Sequence, residues 1–220
     1  MGSPMTPYIV RQGDYLTKLA YLHGFDADEV WNDPRNEDLR RVRPDPNILA
    51  PGDILFIRES EKDGLSVQQG TANNFVATVP KVQLQLHFHD DQGPFAGEAY
   101  EIQDLGDPIP GTTDGKGGLV VDVPVTTSDF YVLFPARNVI YPVIVGDMDP
   151  INEPSGVRKR LRHLGYHYDP SRGESPDSPE EALAVLDRSA IQAFQQDHQI
   201  APTGEIDDAT RTALVDAHGS

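Results

Sequence analysis

The chain contains no cysteine. That excludes a disulfide framework, a thiolate zinc site and a cysteine nucleophile. Tryptophan occurs once in 220 residues. No apolar run approaches the ~18 residues of a membrane helix, so no membrane insertion is expected. Basic residues are scarce: 18 Lys and Arg stand against 35 Asp and Glu, a formal charge of −17. A surface this acidic repels phosphate backbones, so nucleic acid is not an expected partner. Hydrophobic residues make up 38% of the chain, below the usual share of about 45–50% (a count that includes Gly). Glycine and proline are plentiful instead, 19 of each. That composition favours short elements and many turns over one large core. The length allows one or two domains, or three small ones.

The acidity is uneven. Residues 1–62 carry 8 basic and 11 acidic groups, residues 63–150 carry 3 and 12, and residues 151–220 carry 7 and 12. After Met5 there is neither a basic n-region nor an apolar h-region, so the ordinary secretory route is not expected.

The segment 5–58 reads as strand, helices, strand. Tyr8-Ile9-Val10 leads into a Gly13-Asp14 turn, and Leu16, Leu19 and Ala20 follow at helical spacing. Gly24 ends that helix. Asp26 caps a second, with Glu29 three residues on and Val30 and Trp31 as its apolar side. Asn36 is expected to cap a third, which carries Leu39 and Val42. Pro44 and Pro46 stop it. Pro51-Gly52-Asp53 then turns into Ile54-Leu55-Phe56-Ile57.

Residues 59–77 are polar and rich in Gly, Ser, Gln and Asn, a linker composition. It implies that the first segment moves relative to the second. Residues 78–148 read as a small antiparallel β-sandwich. Its runs are Val82 to Phe88, Ala99 to Ile102, Leu119 to Val123, Phe130 to Phe134 and Tyr141 to Val145. Asp114-Gly115-Lys116-Gly117 reads as a hairpin turn, since no helix follows to make it a phosphate cradle. Residues 151–218 read as three helices. Val157, Leu161 and Leu164 mark the first, stopped at Gly165. Ser178-Pro179-Glu180-Glu181 opens the second, with Asp187 as an alternative start. Asp207 caps the third, with Thr210 and Leu214 inward. The short 146–155 junction implies that the last two segments are docked. The fold class expected is multidomain α+β.

No catalytic constellation stands out. His87 and His89 share a strand face, but a closed zinc site needs four ligands. They are read as polar residues entering a turn. His163 and His167 are separated by the helix-breaking Gly165 and read as a solvated helix end. Carboxylates such as Glu98 and Glu101 resemble a glycosidase pair, but 35 acids make chance pairs common. The chain is expected not to be an enzyme and to need no metal or cofactor. Arg40, Arg41 and Arg43 cluster; they are either a solvated helix face or a contact for a carboxylate-bearing wall peptide or an acidic partner.

Three resemblances follow from these motifs. Tyr8 to Asp14, Leu19-Ala20, Asn47-Ile48-Leu49, Pro51-Gly52-Asp53 and Ile57 together resemble a LysM domain. That resemblance implies a βααβ fold and binding of glycans containing N-acetylglucosamine, with Gly13, Asp14, Tyr15, Asn47, Ile48 and Leu49 as candidate contacts. Tyr15 stands where the family usually has Thr or Ser. Val157 to Leu161, Leu164-Gly165-Tyr166, Ala190 to Gln195, Thr203 to Asp207 and Ala209 to Leu214 resemble a three-helix peptidoglycan-binding domain, implying contacts near Tyr166 and Thr203. The family's usual turn before its second helix is replaced by the polar stretch Ser171 to Glu181. Pro94 to Tyr100 and Gly111 to Gly115 are similar to transthyretin-like sandwiches. In this order, the modules resemble signal-less accessory proteins of type VI secretion and related contractile injection systems. The implied partners are peptidoglycan glycan or muropeptide, with spike, baseplate or effector proteins as the alternative. The implied location is the bacterial cytoplasm before delivery by such a machine.

Overall fold

The computed structural model describes residues 4–58, 69–70, 72, 78–90, 92–166 and 179–219, the side chains of 179–186 excepted. Most of the expected linker, His167, and Ser171 to Ser178 lie outside the described residues. The chain divides into two units, Met1–Phe88 with Phe95–Asp147, and His89–Pro94 with Met148–Ser220. The first unit thus holds both the N-terminal segment and the sandwich-like strands.

The first unit begins with β1 (Met5–Ile9), α1 (Leu16–His23), α2 (Ala27–Trp31), a 3₁₀ turn (Pro34–Asn36), α3 (Glu37–Val42) and β2 (Ile54–Arg58). β1 and β2 pair antiparallel, Ile9 opposite Ile54. Their core is Val10, Leu16, Leu19, Val30, Leu39, Leu49, Leu55 and Ile57. The helix boundaries obey local rules. Gly24 ends α1 at φ 72°, a left-handed conformation that glycine adopts without strain. The Asp26 carboxylate accepts from the Glu29 amide at the start of α2.

The expected cap at Asn36 is corrected by the structure. Asn36 makes no side-chain cap on α3. It is fully buried, donating to the Val30 and Phe56 carbonyls and accepting from the Phe56 amide. One amide therefore ties α2 to β2, which a capping signal could not reveal. Val42 lies 49% exposed.

The remaining strands of this unit are β3 (Lys81–His87), β6 (Ala99–Gln103), β7 (Ile109–Thr112), β8 (Gly118–Pro124), β9 (Asp129–Phe134) and β10 (Val139–Ile144). β4 (His89–Asp90) and β5 (Gly93–Pro94) belong to the second unit. One sheet runs β10-β9-β6-β7, and β3 pairs with β8. Phe88, Leu119, Val121 and Val123 share one core with Ile102, Phe130, Val132 and Phe134. Alternating residues of the two sheets thus face each other. Pro110 and Pro142 sit in the edge strands β7 and β10, where a missing amide is tolerated.

The Asp114 turn is not a hairpin, because β7 and β8 lie in different sheets. The Asp114 carboxylate accepts from the Lys116 and Gly118 amides, both at 2.7 Å. Those two bonds hold its acid well below the usual carboxylate range.

Tyr15 joins the two parts of this unit. It is 3% exposed and belongs to the sandwich core rather than to that of its own segment. Its hydroxyl donates to the Val125 carbonyl at 3.2 Å. Gly146 has φ 78°, and a side chain there would press on the Gly13 carbonyl oxygen. The Gln12 amide donates to Asp147 at 3.1 Å. The N-terminal segment is therefore packed on the strands, against the independence its linker composition implies.

The second unit contains the β4–β5 pair, α4 (Pro154–His163), α5 (Pro179–Asp197) and α6 (Asp208–His218). Val157, Leu161, Ala190, Ile191, Phe194 and Leu214 form its core. α5 is continuous through Asp187, so the alternative start there is not used. Asp187 instead pairs with Arg158 at 2.7 Å. Arg160 is buried, its guanidinium donating to the carbonyls of Asp149 and Gly156. Burial pulls it down to about 10, against the opposing pull of Asp149, so it stays charged at neutral pH.

Candidate functional site

The N-terminal candidates are mostly engaged in holding their own loops. Gly13 takes φ 83°, and its carbonyl accepts from the Lys18 ammonium at 2.8 Å. Asp14 accepts from the Tyr8 hydroxyl and the Arg11 amide. Asn47 reaches across 30 residues and accepts from the Thr17 amide and hydroxyl, satisfying the first turn of α1. Leu49 is core, Ile48 is half-buried, and Tyr15 is buried as described. Among these six, only Asn47 is classed as exposed.

The arginine cluster separates into three environments. Arg43 is buried and pairs with Asp53 through two bonds of 2.9 and 3.1 Å. Arg40 is half-buried and donates to the carbonyls of Trp31 and Asp33. Arg41 is exposed and meets Glu37 and Asp38 on its own helix. Only Arg41 presents its charge to solvent as the cluster reading requires.

In the second unit the site grows from the C-terminal half of α5. Phe194 is fully buried. Tyr166 meets it edge-on with centroids 5.2 Å apart, and His198 stacks on it at 4.2 Å. The Tyr166 hydroxyl donates to Asp197 at 3.2 Å. Burial and the nearby Asp197 charge push that phenol up to about 12.

Behind this row, Gln195 organises the loop into α6. Its amide nitrogen donates to the Glu205 carbonyl and to the hydroxyls of Thr203 and Thr210, and its oxygen accepts from the Gly204 amide. Thr203 also accepts from the Glu205 amide, so its hydroxyl is built into the loop. Asp207 accepts from both the amide and the hydroxyl of Thr210, which holds its acid below the ordinary range.

α6 then presents Asp208, Ala209, Thr212, Ala213, Asp216 and Ala217 to an open groove of about 740 Å³, completed by His198 and Ile200. Its lining mixes alanine and isoleucine side chains with carboxylate, hydroxyl and imidazole groups. Such a mixed surface suits a sugar or peptide, whose apolar and polar parts each find a counterpart. Tyr166 and Thr203, the contacts expected from the sequence, do not line this groove, whereas His198, Asp208 and Asp216 do. The helical spacing of 208, 212 and 216 could have marked that face.

The groove is open to solvent and lies on the helical unit. Residues 153–214 match the family described as "Putative peptidoglycan binding domain". Curated proteins and solved structures give no match. The family match supports peptidoglycan as a partner.

Proposed function

We propose that this chain is a non-catalytic peptidoglycan-binding accessory protein of a contractile injection, type VI secretion-like system. The observation carrying wall binding is the family match over 153–214, and the open groove beside α6 is the surface on which we read it. The bound group is a wall glycan or muropeptide. The LysM resemblance in 5–58 and the order of the modules support the secretion context. In that context the protein is made in the bacterial cytoplasm and meets the wall when the machine carries it there.

A second reading is favoured by one observation. The Gly13–Tyr15 loop is engaged by the chain's own strands through Tyr15, Gln12 and Gly146. A first segment used in this way serves as a scaffold part, and the protein is then an adaptor for spike, baseplate or effector proteins.

Co-sedimentation with purified sacculi separates the two. The full chain is compared with Thr212→Arg, an exposed position that fills the groove. Wall binding predicts that the full chain pellets and that the variant loses at least about tenfold in affinity, near 1.4 kcal/mol. Absence of pelleting for the full chain transfers the weight to the adaptor reading. A pellet unchanged by Thr212→Arg moves the contact off this groove.

A further inference from the structure

Helical spacing gives the groove beside α6 an ordered chemistry. Residues four apart on a helix share a row. Asp208, Thr212 and Asp216 therefore make one row, and Ala209, Ala213 and Ala217 make the row beside it; both line the groove. The two carboxylates belong to positions ~12 Å apart along the axis. No lysine or arginine is among the lining residues. Asp216 is exposed and meets no cation among the described residues. Asp208 meets Arg211 of its own helix at 3.2 Å, an exposed pair that solvent screens. α6 is held at both ends. The Gln195 amide donates to Thr210 in its first turn at 2.9 Å, and His163 Nδ1 lies 3.0 Å from His218 Nε2 in its last. A groove fixed in this way costs little ordering when a ligand arrives.

From these rows we infer that the groove takes the free primary amine of an uncross-linked wall peptide. The inference rests on the wall binding proposed above and names the part of the wall that is read. An ammonium only donates and a carboxylate only accepts, so the two make charge-assisted bonds. The other groups a wall offers fit less well. A peptide carboxylate meets like charge here, with no cation lining the groove. A sugar ring seeks an aromatic face, but no Trp, Tyr or Phe lines the groove. His198, the one ring there, already stacks on Phe194 at 4.2 Å. The alanine row carries nothing longer than a methyl group, which leaves room for a peptide backbone beside the acidic row.

The consequence is discrimination by cross-linking. A cross-link acylates the amine, which removes its charge and leaves a single N–H. The groove then holds free stems and releases joined ones.

The test is co-sedimentation at about 0.15 M salt, where repulsion between two acidic surfaces is screened beyond ~8 Å. Sacculi acetylated at their free amines are compared with mock-treated sacculi. The full chain should pellet with the mock-treated preparation and bind the acetylated one at least about tenfold more weakly. Asp216→Asn should weaken binding to mock-treated sacculi and narrow the difference between the two preparations. That direction is informative, because removing a negative charge lowers the general repulsion and by itself strengthens binding. Asp122→Asn makes the same charge change at an exposed position of β8 and should keep the parent's preference. Equal binding of the parent chain to both preparations, or undiminished binding by Asp216→Asn, overturns the inference and leaves wall binding standing. No pelleting with either preparation removes wall binding, and the inference with it.

Discussion

Tyr166 combines two properties that a surface tyrosine rarely has together: a ring against Phe194 and a hydroxyl held by a carboxylate. The phenolate is disfavoured first by desolvation and then by the neighbouring Asp197 charge, which pushes its ionisation up to about 12. In the unfolded chain the same group ionises near pH ~10. The folded state therefore holds its proton longer. This contribution to stability is complete below pH ~10 and is lost as pH climbs towards 12. Ultraviolet difference titration should show the last of the eight tyrosines ionising near 12, and Tyr166→Phe should remove that step. The Tyr166→Phe variant should also lose less stability than the parent chain between pH ~10 and ~12. A titration in which Tyr166→Phe changes only the early steps contradicts the assignment.

At the scale of elements, what could be read from the sequence depended on range. Gly24, Asp26, Gly165 and Asp207 act within a few residues of themselves, and each ends or starts a helix as its type demands. The alternating strands from Val82 to Val145 were equally local, since a face repeats every second residue. Asn36, Tyr15 and His218 were different. Their partners lie 20, 110 and 55 residues away, so no window of sequence contains them. The candidate site divides in the same way. Tyr166 and Thr203 lay in recognisable motifs but do not line the groove, which needed the placement of α6 beside His198.

Tyr15 gives this point a measurable form. Replacing its buried ring by a small side chain leaves a hole in the strand core, and Tyr15→Ser should cost about 3–5 kcal/mol, as large core truncations do. Tyr15→Phe keeps the ring and loses only the bond to Val125, so about 1 kcal/mol is expected. Denaturant unfolding of the full chain measures both. Equal losses for the two variants would mean that the hydroxyl, rather than the packed ring, secures the N-terminal segment.

For the whole molecule, charge sets the terms on which any wall contact is made. Sacculi expose the carboxylates of their peptide stems, and the chain carries −17. The long-range interaction is therefore repulsive, and attraction must come from short-range contacts in a groove lined partly by alanine and isoleucine side chains. Salt acts on these two parts unequally. The Debye length falls from about 30 Å at 0.01 M to about 8 Å at 0.15 M, so salt removes the repulsion and leaves close contacts nearly intact. The fraction of protein pelleted with sacculi should therefore rise over that interval, opposite to the behaviour of a basic binder. A fall would assign the attraction to exposed cations such as Arg162 and Arg188 rather than to the groove. Substituting those two arginines should then abolish pelleting at low salt, whereas Thr212→Arg should leave it intact.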